Sequence, residues 1–376
     1  MTINKYIGYR PTWAEVNLAN LVHNLNQVRS RLRPGVKVMV TVKADAYGHG
    51  LVPVSRQLIS AGVEFLGVAS IDEGIKLREA RINAPVLILG LVLKKDIGPL
   101  FQYRLTPTVC DLELAVALNQ KAKFLNTRQA VHIKVDTGMG RVGVLHEDAF
   151  LLVRKIQRLS RIDIEGIFTH FAFADINQDF TRYQLLLFNR LVERLRKLGV
   201  NIPLVHAANS MGLLDYQDSH FNLVRPGLVI YGLYPKEGLS IRLKPVLSLK
   251  TKIVLVKKIP KGYGISYGHA YVTDKDTLMV VLPIGYGDGY PRNLSNLASV
   301  LIKGKRFKIS GRICMDQMMV DVGNLAVKTA EEVILIGRQG KNRITVEELA
   351  GYAGTISYEI VCGLGSRIPR VYIKEG

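Results

Sequence analysis

Val36-Lys37-Val38-Met39-Val40-Thr41-Val42, continued by Lys43-Ala44-Asp45-Ala46-Tyr47-Gly48-His49, is the stretch on which the reading of this chain turns. The first seven residues are mostly β-branched or apolar and contain no turn former, the pattern of a buried strand. The second seven open with a lysine and pass through small residues to a glycine. The strand therefore ends in an amine that can face a pocket, and a lysine in a pocket shifts its pKa and becomes a nucleophile.

Outward from that strand the pattern repeats. Upstream, Leu18, Leu21, Val22, Leu25, Val28 and Leu32 share one face of a helix. Downstream, apolar runs at Phe65 to Ala69, Val86 to Leu89, Leu105 to Val109, Val131 to Asp136, Ile164 to Thr169, Leu204 to Ala207 and Leu223 to Arg225 alternate with helix-like segments. With Val38 to Lys43 these make eight strands, most of them apolar on both faces, as parallel strands covered by helices are. The economical fold is α/β, an N-terminal (β/α)8 barrel, with the segment before Lys37 supplying the last helix of the ring. Lys43, Asp136, His170, Asn209 and Arg225 all stand at or just past strand ends, the face where such barrels assemble their sites.

After Tyr234-Pro235 the rhythm changes to longer alternating stretches at Leu247 to Val256, Thr277 to Pro283, Ser299 to Ile309 and Met318 to Val322. These predict a second, mostly β domain, dividing the chain into residues 1–238 and 239–376. Within it, Thr345-Val346-Glu347-Glu348 has capping-box spacing and predicts a helix start. Internal repeats and low-complexity segments are absent from the sequence.

A chain of 376 residues with 48% hydrophobic content can bury one large or two ordinary cores. No apolar stretch reaches the roughly 20 residues that cross a bilayer, and Met1 to Arg10 lacks the apolar centre of a signal peptide, so the expected setting is cytoplasmic, without a membrane partner. Cys110, Cys314 and Cys362 are too dispersed for a disulfide framework or a zinc site, and no metal is expected. The 51 Lys+Arg exceed the 31 Asp+Glu by 20, which raises the question of nucleic acid. The basic residues are scattered, with no tail or nucleic-acid signature, so a solvated basic surface is expected instead.

Gly138-Met139-Gly140-Arg141-Val142-Gly143 formally matches the GxGxxG of dinucleotide sites, with Asp163 about twenty residues on. The acid is misplaced, because a ribose-binding carboxylate belongs at the end of the next strand and Asp163 precedes it. The glycines are read instead as letting Arg141 reach the barrel mouth.

Five motifs together resemble those of the alanine racemases: Val42 to Gly50, His132 to Arg141, Arg225-Pro226-Gly227, Ile265-Ser266-Tyr267-Gly268 and Arg312 to Gln317. They occur in matching order between about Trp13 and Tyr372. The resemblance implies pyridoxal 5′-phosphate carried on Lys43 as a Schiff base, on a barrel followed by a β domain. Racemisation removes a proton from one face of Cα and returns it to the other, so two opposed bases are implied, Lys43 and Tyr267. A phenol with a pKa near 10 needs a nearby cation or histidine to act so, and by resemblance His170 hydrogen-bonds to Tyr267. Arg225 is implied between His170 and the pyridine nitrogen. A guanidinium has no proton to give that nitrogen readily, which weakens the ring as an electron sink and suits racemisation better than transamination.

The same resemblance assigns the phosphate to Tyr47, Ser210, Tyr358 and the backbone amides of Gly227 and Leu228, and the substrate carboxylate to Arg141 and the Met315 amide. Lys134 matches a lysine that is carbamylated in family members, Tyr286 an entrance residue, and Asp316 a supporting one. Tyr267, Tyr286 and Met315 reach a neighbouring subunit's site in that family, which implies a homodimer with shared sites. Gly287 in place of a commoner alanine, and His269 beside Tyr267, depart from the pattern. The implied activity is interconversion of L- and D-alanine feeding peptidoglycan synthesis. Rivals are a serine or broad-specificity racemase, a single-barrel cofactor-binding protein without the second domain, and a barrel decarboxylase, whose Cys-Glu-Ser signature is missing.

Overall fold

The computed structural model describes residues 9–374. Most of the leader reading of Met1 to Arg10, and the extreme ends of both proposed domains, lie outside the described residues. Eight parallel strands line the first half: β1 (Lys37–Thr41), β2 (Phe65–Val68), β3 (Val86–Ile88), β4 (Thr106–Val109), β5 (Gln129–Asp136), β6 (Ile162–Phe168), β7 (Leu204–His206) and β8 (Leu223–Val224). They pair in the order β8-β1-β2-β3-β4-β5-β6-β7. The seam between β7 and β8 is bridged where the Val205 N–H donates to Asn222 Oδ1 at 2.8 Å and the Arg225 N–H to Ala208 O at 2.9 Å. The result is a nearly closed barrel, and each of the eight apolar runs contributes one strand to it.

The helices cover the strands as their periodicity dictates. In Gln178–Lys197, for example, Leu185, Phe188, Leu191, Val192 and Leu195 turn inward. Within the barrel β8 is followed by the short turn Leu228–Tyr231, and Leu18–Arg29 packs there as the covering helix. Buried Asn24 ties the two by donating to Ile230 O at 3.1 Å.

The second half is built on two main sheets. The larger runs Lys305–Lys308, Ser299–Ile302, Glu332–Gln339, Leu247–Lys252, Thr12–Asn17, Arg370–Ile373, and the smaller joins Leu255–Ile259, Thr277–Leu282 and Met318–Gly323. Three details differ from the sequence reading. The stretch Leu247 to Val256 is two strands that serve different sheets. Ser299 to Ile309 is a hairpin, because Lys303 and Gly304 both take positive φ and close a tight turn. Thr12–Asn17, placed with the barrel by the division at 238, pairs with Leu247–Lys252 and Arg370–Ile373 in the second domain's sheet.

The helix starting after Thr345 spans Val346–Ala353, and the Thr345 hydroxyl accepts from the Glu348 N–H at 3.1 Å. The reciprocal half of the capping box is replaced. Arg306 takes the Glu348 carboxylate, because a charge-assisted pair outcompetes a neutral amide. No helix among the described residues is long and apolar enough to cross a membrane.

Candidate active site

At the C-terminal end of β1 the chain does something the sequence does not announce. Ala44, Asp45, Ala46 and Tyr47 all have φ between 52° and 54°, so the lysine is followed by a turn of left-handed helix. L-residues pay roughly 1–2 kcal/mol each for that conformation, so the surroundings must impose it. Glu73 accepts from the N–H groups of Ala44 at 2.6 Å and Ala69 at 2.7 Å. Asp45 Oδ1 accepts from the Leu51 N–H at 2.8 Å, buried His49 donates from Nδ1 to Tyr47 O at 2.8 Å, and Arg370 Nε donates to Gly48 O at 3.0 Å.

The turn presents Lys43 to a cavity of about 560 Å3 at the barrel mouth. Tyr47, Lys134, Arg141, His170, Ser210, Arg225, Gly227, Leu228 and Tyr358 line it as well. Ten of the sequence-read residues are therefore brought together. Burial, and then the Arg141 guanidinium, lower the Lys43 pKa, with Glu73 and Cys362 opposing. An amine so placed is more readily unprotonated and nucleophilic. Burial, followed by Arg225 and Arg141, takes Lys134 well below its ordinary value. Burial and the four cations Lys134, Arg225, Arg141 and Lys43 hold His170 neutral.

Arg141 reaches the mouth as the glycine turn predicts. Gly143 sits at φ +133, where a Cβ would lie 2.7 Å from the Asp136 nitrogen. Asp136 then organises the loop, accepting from Gly138 and Met139 at 2.8 Å and from Gly140 and Arg141 at 3.2 Å. Burial raises its pKa, but the four N–H donors outweigh it and hold the carboxylate ionised. Asp163 lies at the opposite end of the barrel, paired with Arg128, which removes the ribose-binding acid of a dinucleotide site.

Arg225 is buried, and burial lowers its pKa to about 9, still above neutrality. Nη2 donates to Thr169 O at 2.7 Å and Ala207 O at 3.0 Å and faces His170 Nδ1 at 3.5 Å, while Nη1 donates to His206 Nδ1 at 2.8 Å. Gly227 and Ser210, read as separate phosphate donors, touch each other: the Gly227 N–H donates to Ser210 Oγ at 3.0 Å. A Cβ on Gly227 would lie 2.7 Å from the Tyr47 hydroxyl, so the glycine keeps open a hollow beside two hydroxyls. That hollow, with the Arg141 and Arg225 guanidiniums and the amines of Lys43 and Lys134 around one cavity, fits an anionic aldehyde cofactor and a carboxylate substrate.

Four sequence-read residues stand elsewhere. Tyr267, Met315 and Tyr286 are 66%, 52% and 41% exposed, and none lines the cavity of its own chain. They form one group on the second domain. The Ser266 hydroxyl donates to Arg312 O at 2.6 Å, the Tyr286 N–H to Cys314 O at 3.1 Å and the Gly287 N–H to Met315 O at 2.8 Å. Asp316 holds Arg367 at 2.6 Å, and Arg367 with Arg10 clasps fully buried Asp288. The bond expected between His170 and Tyr267 is accordingly not made within one chain. Sequence reasoning missed Glu73, His206 and Cys362, the last lining the cavity beside Lys43. Glu73 alone carried a local signal, as an acid in the first turn after Ser70.

The family description "Alanine racemase, N-terminal domain" matches residues 16–235, and "Alanine racemase, C-terminal domain" residues 246–372. The chain is 48% identical to an alanine racemase of Halothermothrix orenii, over 98% of each chain. It is 45% identical to one of Carboxydothermus hydrogenoformans, over 97% of this chain and all of that one. Among solved structures, an alanine racemase of Clostridium difficile superposes with a TM-score of 0.92 at 39% identity, covering 97% of this chain and 96% of that one. One from Bacillus anthracis, with bound L-Ala-P, gives 0.92 at 36% identity, covering 99% and 97%.

Proposed function

The chain belongs to the alanine racemase family of amino-acid racemases, and on that premise we propose that it interconverts L- and D-alanine with Lys43 and Tyr267 as opposed bases. The supporting observation is the gathering of Lys43, Arg141 and Arg225 about one cavity while Tyr267, Tyr286 and Met315 stand exposed as a group. Pyridoxal 5′-phosphate, when bound, supplies the electron-withdrawing ring that acidifies the substrate Cα–H. Lys43 would hold it covalently, with Tyr47, Ser210, Tyr358 and the Gly227 and Leu228 amides at its phosphate and Arg225, backed by His170, at its ring nitrogen.

Arg141, with the Met315 amide of the partner subunit, fixes the substrate carboxylate. Lys43 takes or returns the proton on one face of Cα, and the partner subunit's Tyr267 serves the other. Lys134, buried and biased towards the neutral amine, suits carbamylation, which would give Arg141 an anionic neighbour. Asp316 and Tyr286 support the entrance. Each site then needs both chains of a homodimer. The chain divides into residues 1–238 and 239–376, with Thr12–Asn17 crossing into the second sheet. Its D-alanine serves peptidoglycan synthesis in the cytoplasm.

The Tyr47 and Tyr358 rings, 5.6 Å apart, narrow the cavity and favour alanine over serine. The test is purified protein with the cofactor. It should be yellow, retain a borohydride-fixed label on Lys43, and exchange the α-proton of alanine in D2O faster than that of serine. Colourless protein without exchange would refute the assignment, and serine exchange at an equal rate would refute the preference.

A further inference from the structure

Three polar side chains on neighbouring barrel strands, two of them fully buried, extend away from the cavity, and no step above uses them as a set. His206 on β7 and His132 on β5 are 0% and 1% exposed, and Glu165 on β6 is half-buried. They continue from Arg225 in one line. Arg225 Nη1 meets His206 Nδ1 at 2.8 Å, His206 Nε2 meets His132 Nδ1 at 2.8 Å, and His132 Nε2 meets Glu165 Oε2 at 3.0 Å.

The two ends of this line determine its middle. A guanidinium can only donate, so His206 Nδ1 must accept and its hydrogen sits on Nε2. His132 Nδ1 must accept that hydrogen in turn, which puts the hydrogen of His132 on Nε2, where the Glu165 carboxylate receives it. Every bond then points the same way, from guanidinium to carboxylate, and such chains polarise one another. Burial lowers both imidazoles, with Arg225 and Lys134 adding to it at His206 and Arg225 opposing Glu165 at His132, so both rings are neutral, as the ladder requires.

The surrounding sequence is built for this arrangement. Gly166, opposite His132 in the strand register, leaves room for its ring: a Cβ there would lie 2.3 Å from His132 Nδ1. Phe168 stacks on the His206 ring at 4.7 Å and 4°, and the Arg225 guanidinium lies over the same phenyl at 5.1 Å.

We propose that Glu165 and His132 are positioning residues for racemisation, which act through His206 to fix the orientation and the charge of Arg225 at the cofactor's ring nitrogen. The assignment rests on the functional reading of Arg225 given above. The ladder's outer member lies on the neighbouring strand, three hydrogen bonds from the cavity.

The test is 15N NMR of the ring nitrogens in histidine-labelled holoenzyme, alongside kinetics of unsubstituted protein, Glu165→Met and Glu165→Gln. In unsubstituted protein both His132 and His206 should carry hydrogen on Nε2. Glu165→Met removes the acceptor, so His132 should become a mixture of tautomers, and kcat should fall on the order of tenfold, the scale typical of outer partners that orient a functional group. KM for alanine should stay within about twofold, since Arg141 is untouched. Glu165→Gln keeps an acceptor oxygen and should restore the His132 tautomer and most of kcat. Hydrogen on Nδ1 of either ring in unsubstituted protein would overturn the ladder. A tautomer change in Glu165→Met with kcat unaltered would overturn the positioning role. Rings as assigned in a protein that does not racemise alanine would instead overturn the functional reading.

Discussion

Removing one oxygen from Tyr267 separates a chemical role from a holding one. Tyr267→Phe should lower racemisation of L-alanine by about 10²–10⁴, the usual scale for general acid–base catalysis, while cofactor absorbance is retained. Initial rates and spectra of the same preparation check this, and a parallel loss of both would make Tyr267 a binding residue. His49 makes a second, unrelated prediction. It is fully buried, its Nε2 has no partner, and burial lowers its pKa to about 4 from the ordinary 6.5, against the bond to Tyr47 O. The unfolded chain therefore binds a proton more readily than the folded one. Stability is intact above about pH 6.5 and falls as the pH drops towards 4, by up to about 3 kcal/mol from this group. Melting temperatures between pH 7.5 and 4 should fall less steeply for His49→Gln, and an identical slope would clear His49 of the effect.

Single residues also mark how far the sequence could be read. Lys43, Asp136, His170 and Arg225 were legible because each interrupts an apolar run at its end, where a barrel exposes side chains to one mouth. His206 ends a run too, but an isolated histidine there is indistinguishable from a core residue. Its meaning comes from Arg225 and His132, which only the strand register brings to it.

At the scale of elements, the turn after Lys43 was the least legible part, because alanines and a tyrosine carry no mark of positive φ. Tertiary bonds from Glu73 and Arg370 override their preference. The strand Thr12–Asn17 was missed for a related reason: its partners lie more than two hundred residues away, and its pattern is no more strand-like than its neighbours. The eight barrel strands were legible because burial on both faces leaves uninterrupted apolar runs. The strain predicts a stabilising change. Ala44 is exposed with φ 52°, so Ala44→Gly should relieve roughly 1–2 kcal/mol of left-handed strain against 0.5–1 kcal/mol of glycine entropy. The net gain of about 0.5–1 kcal/mol should appear as a higher urea midpoint at unchanged slope. A lower midpoint would mean that the turn stores no strain at that residue.

The whole molecule offers a test of shared sites. Under the shared-site proposal, Lys43→Ala and Tyr267→Phe should each disable both sites of their own homodimer. In a dimer of one with the other, however, one site has lost both bases and the second has kept both. Refolding the two inactive proteins together in equal amounts should thus recover about one quarter of the unsubstituted activity, since half the dimers are mixed and each has one intact site. No recovery would place both bases in the same chain. The net charge of +20 has no counterpart in this scheme beyond the cations of the cavity.

The left-handed turn ties the lysine to the other end of the chain. Gly48 lies against the Val361 carbonyl, Gly50 against the Tyr372 hydroxyl, and Arg370 bonds the turn to its own segment through Leu364, Gly365 and Ile368 carbonyls. Those residues are made roughly three hundred residues after Lys43, whereas domains begin folding from the N-terminus during synthesis. A nascent chain can thus assemble its barrel strands before its amine is set, and cofactor capture waits for the segment from Val361 to Tyr372. Ribosome-stalled chains ending before Val361 should stay free of borohydride-fixed label, and labelling of such chains would show that the amine matures earlier.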